Sequence, residues 1–125
     1  MKVLIDTHAL VWAVLSPRIL SDKAREAIGA DENVVFVSMA SLWELRIKEG
    51  IGKINLPGDF YDALPDKGFE ILSISMNHIR ELGGLPHHHR DPFDRMLVAQ
   101  ARSEQLFLVT RDDDIKKYDV SILGA

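Results

Sequence analysis

The chain has 125 residues, 46% of them hydrophobic and 27% charged, with a formal net charge of -4 and no cysteine. That length suits one domain near the commonest size, expected over residues 1–125, and the apolar share suffices for a core. The acid excess argues against a protein that grips nucleic acid chiefly through a basic surface. Absent cysteines exclude disulfides and thiolate zinc sites, and the longest apolar stretch, Ala9 to Leu15, falls far short of the ~20 residues of a membrane span.

Val3, Leu4 and Ile5 form a continuous apolar run without alternation, as in a parallel strand buried on both faces. The run stops at Asp6. Ligands of open α/β sheets bind beyond the carboxyl ends of the strands, so an acid there is placed for chemistry; the competing role is to cap the next helix. With an acid already at position 6, no secretory signal is expected, and a cytoplasmic protein without a membrane partner fits.

Thr7 to Leu15 reads as a helix with Leu10, Val11, Val14 and Leu15 on one stripe, broken by Ser16-Pro17. Ser21 is placed to cap a second helix over Asp22 to Ala30. A second apolar strand, Val34 to Val37, leads into a periodic helix from Ser38 to Gly50, with Leu42, Trp43 and Leu45 directed at the core. Glu44 stands among these apolar neighbours, which leaves little room for a solvent-facing stripe. Lys48, four residues on, offers it an ordinary surface pair.

Ile51 to Pro57 is a Gly/Pro-rich connection, Phe60 to Leu64 a short helix cut by Pro65, and Phe69 to Ile74 a third strand. Ser75 opens a helix carrying Ile79 and Leu82 that stops at Gly83-Gly84, and Leu85 to Arg90 is a loop holding His87, His88 and His89. Alternate side chains of an extended loop point apart, so the three histidines cannot all face one metal; an exposed loop near the site is expected. Asp91-Pro92 is a helix start, with Asp94 three residues on in a capping-box-like arrangement at the positive end of the helix dipole. Leu106 to Val109 is a fourth buried strand ending at Thr110-Arg111-Asp112; Asp112 to Tyr118 gives one helical turn, and Val120 to Leu123 an edge strand. Strands alternating with helices imply a parallel sheet with right-handed crossovers.

Asp6 and Asp112 should therefore share one edge of the sheet, with Glu44 and Asp94 reaching it from helices that start there. Two unit charges ~4 Å apart repel by about 4 kcal/mol at an effective dielectric of 20. A cluster without cations would raise its pKa values or splay apart. Hard divalent cations, which prefer oxygen ligands, remove that penalty.

Asp6-Thr7 after an apolar strand, Ser41-Leu42-Trp43-Glu44, the run Asp91-Pro92-Phe93-Asp94-Arg95-Met96-Leu97-Val98-Ala99-Gln100-Ala101, and Leu108-Val109-Thr110-Arg111-Asp112 together resemble the PIN-domain ribonucleases, specifically the VapC toxins of bacterial toxin–antitoxin pairs. The resemblance covers essentially the whole chain in the family's order. It implies a three-layer α/β/α domain with a parallel sheet, Mg2+ or Mn2+ as cofactor, and hydrolysis of RNA phosphodiesters by metal-activated water. Asp6, Glu44, Asp94 and Asp112 then become the catalytic and metal-binding acids, with Asp112 preferred over its neighbours Asp113 and Asp114. Thr7 and Thr110 become donors that orient the carboxylates, and Arg95 and Arg111 contacts to phosphate or partners in surface salt bridges. A homodimer held by a VapB-type antitoxin is also implied.

Two other classes compete. A phosphotransfer domain of the haloacid-dehalogenase type needs a second Asp two residues after Asp6, where His8 stands, and a response-regulator receiver needs a Lys where Arg111 stands. A non-catalytic module whose acidic groove docks a basic tail would use the same residues.

Overall fold

The computed structural model describes residues 1–125. Five strands, β1 (Lys2–Ile5), β2 (Val34–Ser38), β3 (Phe69–Leu72), β4 (Phe107–Thr110) and β5 (Ile122–Gly124), form one sheet in the order β3-β2-β1-β4-β5. Every neighbouring pair is parallel. Six α-helices alternate with them: α1 (Thr7–Leu15), α2 (Asp22–Gly29), α3 (Met39–Gly50), α4 (Phe60–Ala63), α5 (Met76–Gly83) and α6 (Pro92–Glu104). The expected helical turn after β4 is a 3-10 turn over Ile115–Lys117. The third strand stops at Leu72, short of the expected Ile74, and the last starts two residues later than expected.

Alternation along each strand feeds two cores. Val3 and Ile5 join Leu10, Val37, Leu45 and Val109 on one face, beneath α1 to α4. Leu4 and Leu108 join Leu97, Val98 and Ala101 on the other, beneath α6. The result is the three-layer α/β/α architecture. The chain runs outward from β1 through β2 to β3, then returns to lay β4 on the other flank of β1. The carboxyl ends of β1 and β4 therefore flank the switch point, where such sheets open a crevice.

Two helix faces differ from expectation. Trp43 is 62% exposed and turned away from the core; its ring makes a T-shaped pair with Phe93, at 5.1 Å between centroids. Ser41, Glu44 and Leu45 are the buried residues there, with Leu42 half-buried. In α5, Ile79 is 47% exposed and His78 is buried instead. Its Nδ1 accepts from the Ser75 N–H at 3.0 Å and its Nε2 meets Glu104 Oε2 at 2.9 Å. A short helix packed by one edge buries whichever residue meets its neighbour, and here that residue closes a capping box.

Candidate functional site

Asp6 does both things its position allows. As the N-cap of α1 its Oδ1 accepts the Ala9 N–H at 2.8 Å, while Oδ2 accepts the Thr110 hydroxyl at 2.6 Å. Its own N–H donates to Val109 O, which fastens the end of β1 to β4. Thr110 Oγ1 in turn accepts the Asp112 N–H at 3.0 Å, so one hydroxyl links the acids that end the two strands. Asp6 is only 5% exposed. Burial raises its pKa above the ordinary carboxyl value; the Thr110 and Ala9 hydrogen bonds and the nearby His8 pull it down, and the Asp112 charge adds to the rise.

Glu44 is 7% exposed, drawn inward one turn into α3. Its Oε1 lies 2.7 Å from Thr7 Oγ1, which sits 3.0 Å from Ser41 Oγ. Thr7 has a single hydroxyl hydrogen. Given to the carboxylate, it leaves Ser41 to donate to Thr7, completing a relay from α3 through α1 back to Glu44. Lys48 Nζ reaches the other oxygen, Oε2, at 2.9 Å. The surface pair and the buried acid are thus both realised, on opposite oxygens.

Asp91 caps α6 through Oδ1, which accepts the Phe93 N–H at 2.8 Å and the Asp94 N–H at 3.3 Å. The expected box is not closed from the other side. The Asp91 N–H donates to His89 Nδ1 at 3.0 Å, and Asp94 turns to His89 Nε2 instead, at 3.1 Å. Burial together with the charges of Asp91, Glu44 and Asp6 pushes the Asp94 carboxyl up to about 7, against the pull of His89. Asp94 therefore lies within electrostatic reach of Glu44 and Asp6.

Of the three consecutive acids, Asp112 is the one that meets His89. Asp113 pairs with Lys116, and Asp114 gives one oxygen to Lys117 while also lying close to Asp112 and His89. Asp112 Oδ1 accepts the N–H groups of Asp114 and Ile115, at 2.8 and 3.1 Å. Its Oδ2 lies 3.1 Å from His89 Nε2. Burial works against its charge, yet the bonds from His89, Ile115 and Asp114 outweigh it and hold its pKa below the ordinary value.

The sequence reading missed His89. Its Nε2 is 3.1 Å from Asp94 Oδ2 as well as from Asp112 Oδ2, whereas His87 and His88 are exposed. His89, Asp112 and Asp114 each bring a ligand atom within 4.8 Å of the others. Burial opposes a charge on His89, but Asp112 and the charges of Asp94 and Asp91 raise its pKa. The Asp91 N–H points at Nδ1, which leaves Nε2 facing the two acids. The available signal was its position two residues before the Asp91-Pro92 helix start, which keeps it near the helix N-terminus.

The two arginines are engaged in place. Arg95 Nη1 donates to Pro86 O at 2.8 Å and lies 3.0 Å from the Tyr118 hydroxyl. Arg111 Nη2 donates to Ile19 O and Ala125 O, with its guanidinium 4.3 Å from the Trp12 ring centroid. Neither forms a salt bridge. Both tie backbone segments together beside the acids.

The donor set is all oxygen apart from one imidazole, is crowded enough to hold one carboxyl near 7, and is flanked by Lys48 and His89 as its contacting bases. Such a set fits a hard divalent cation.

A PIN-domain family model matches residues 3–121, so the chain belongs to the PIN-domain family. No curated protein matches it in sequence. Its fold is similar to the VapBC2 complex of Rickettsia felis bound to a DNA fragment from its promoter, with a TM-score of 0.77 at 19% identity over 100% of this chain and 99% of that one. It is also similar to DNA-bound VapBC of Salmonella typhimurium, with a TM-score of 0.70, 19% identity and coverage of 99% and 98%. FitAcB of Neisseria gonorrhoeae gives a TM-score of 0.65 at 20% identity, covering 98% of this chain and 96% of that one. The expected fold and family are both met.

Proposed function

We propose that this chain is a VapC-type toxin, an endoribonuclease that depends on Mg2+ or Mn2+, works in the cytoplasm as a homodimer and is held by a VapB-type antitoxin. Membership of the PIN family and likeness in fold to VapBC complexes support the class. The observation that supports the chemistry is that acids from separate segments share side-chain partners: Thr110 joins Asp6 to Asp112 and His89 joins Asp112 to Asp94, while burial and the charges of Asp91, Glu44 and Asp6 push Asp94 up to about 7.

In this reading Asp6, Glu44, Asp94 and Asp112 hold the cation. The cation supplies charge neutralisation at the phosphoryl group and lowers the pKa of water. Thr110 and Thr7 fix the carboxylates of Asp6 and Glu44 by donating to them at 2.6 and 2.7 Å, so those oxygens need no reorganisation when substrate arrives. Lys48, on the outer oxygen of Glu44, places positive charge where an RNA backbone would approach.

Cleavage of RNA by purified protein tests this, with Mn2+ or Mg2+, with and without EDTA, beside Asp6→Asn. Cutting should require the metal and be abolished by the substitution. Equal cutting by both proteins would overturn the assignment, and binding of a basic peptide without any cutting would favour the docking module.

A further inference from the structure

The geometry points to His89 as a positioning residue: its Nε2 meets one carboxylate oxygen of Asp94 and one of Asp112, holds the two acids toward one point, and so sets the affinity of the site for a divalent cation. The inference rests on the cation site proposed above and adds to it a residue from the histidine loop. Asp112 has one oxygen committed, since Oδ1 already accepts two backbone N–H groups. Only Oδ2 remains, and His89 Nε2 is on it at 3.1 Å. Asp94 carries no other side-chain contact, and its Oδ2 meets the same nitrogen at 3.1 Å. One acid belongs to α6 and the other to the segment after β4, and His89 touches both.

The loop that carries the ring is anchored at several points. The Tyr118 hydroxyl oxygen accepts the N–H groups of His88 and His89, at 3.1 and 3.0 Å, and also meets Arg95 Nη1. Arg95 holds the loop a second time through Pro86 O. Tyr118 is itself buried in the α6-side core. The backbone of His89 is therefore pinned by Tyr118, and its ring by the Asp91 N–H at Nδ1. That last bond turns Nε2, the other ring nitrogen, toward the two acids.

Calorimetric titration of Mn2+ alone into the full chain tests this, comparing wild type, His89→Ala, His89→Gln and Tyr118→Phe. Loss of an outer hydrogen bond to metal ligands typically costs about 10- to 100-fold in affinity. His89→Ala should weaken Mn2+ binding by about that factor. His89→Gln, which keeps a neutral N–H of similar reach, should recover most of it, and Tyr118→Phe should weaken binding in the same direction by less. Unchanged or tighter binding by His89→Ala would make the ring a bystander or a rival for the cation's place and overturn the inference while leaving the cation site standing. Equal loss in His89→Ala and His89→Gln would overturn the donor role. Absence of Mn2+ binding by wild type would overturn the cation site and this inference with it.

Discussion

Asp91 and Asp94 stand on the same turn of α6, yet charge serves them in opposite ways. Asp91 accepts two N–H groups that would otherwise be unpaired, so Asp91→Ala should cost about 1 kcal/mol as a lost cap. Part of that is offset because removing its charge relieves Asp94. Asp94 is instead destabilised when ionised: its pKa rises from 3.8 to about 7 on folding. A carboxyl with a raised folded value contributes most below its unfolded value, and that contribution is lost as pH climbs from 3.8 through about 7. In ion-free protein above that window, Asp94→Asn should be more stable than wild type by about 2 kcal/mol, after discounting for partial solvation. Denaturant unfolding with a chelator present should find this advantage vanishing as pH falls through the window. A gain that persists at low pH would mean that packing, not charge, separates the two. Thr7 is a third kind of residue, a buried donor to a buried acid. Thr7→Val should cost about 1–3 kcal/mol through the unsatisfied Glu44 oxygen, read by the same unfolding measurement.

Among the elements, α3 marks where the sequence was readable and where it was not. Its limits followed from Ser38, which caps by accepting the Ala40 N–H, and from Gly50. Its facing did not. Leu42, Trp43, Glu44 and Leu45 are consecutive, so any rotation of the helix buries some apolar residues and exposes others. The choice was made by the Thr7–Ser41–Glu44 hydrogen bonds, which turn Glu44 in and Trp43 out. Periodicity carries no information about a partner supplied by α1. Leu45→Ala should therefore cost about 2–5 kcal/mol, whereas Trp43→Ala should cost under about 1 kcal/mol despite the larger side chain, because little of it leaves water on folding. Comparable losses in thermal unfolding would place Trp43 against the core after all. The strands, by contrast, could be read directly, since unbroken apolar runs such as Val3-Leu4-Ile5 and Leu106 to Val109 have few places to go but the middle of a parallel sheet.

At the scale of the molecule, the sheet order gathers the acids: β4 returns beside β1, which brings Asp6 and Asp112 from opposite ends of the chain to one edge. That much followed from acids at strand ends. The clamp of His89 on Asp94 and Asp112 did not, because it depends on Tyr118 holding a loop 29 or 30 positions away in sequence. The collected charge has a consequence for the whole fold. A cation that binds only the folded chain stabilises it by about 2.7 kcal/mol at a hundred times its Kd, which for a domain of this size is a rise of about 10 °C in Tm. Mn2+ should produce such a rise in wild type, EDTA should reverse it, and sodium chloride at equal ionic strength should not reproduce it. The rise should shrink as pH falls below about 7, because a proton on Asp94 must leave before the carboxylate can ligate. Asp6→Asn should lose most of it at every pH, having an amide where the charge belongs. A Tm rise of equal size in Asp6→Asn, or one indifferent to pH, would place the bound cation away from the crevice and remove the physical reason these acids share it.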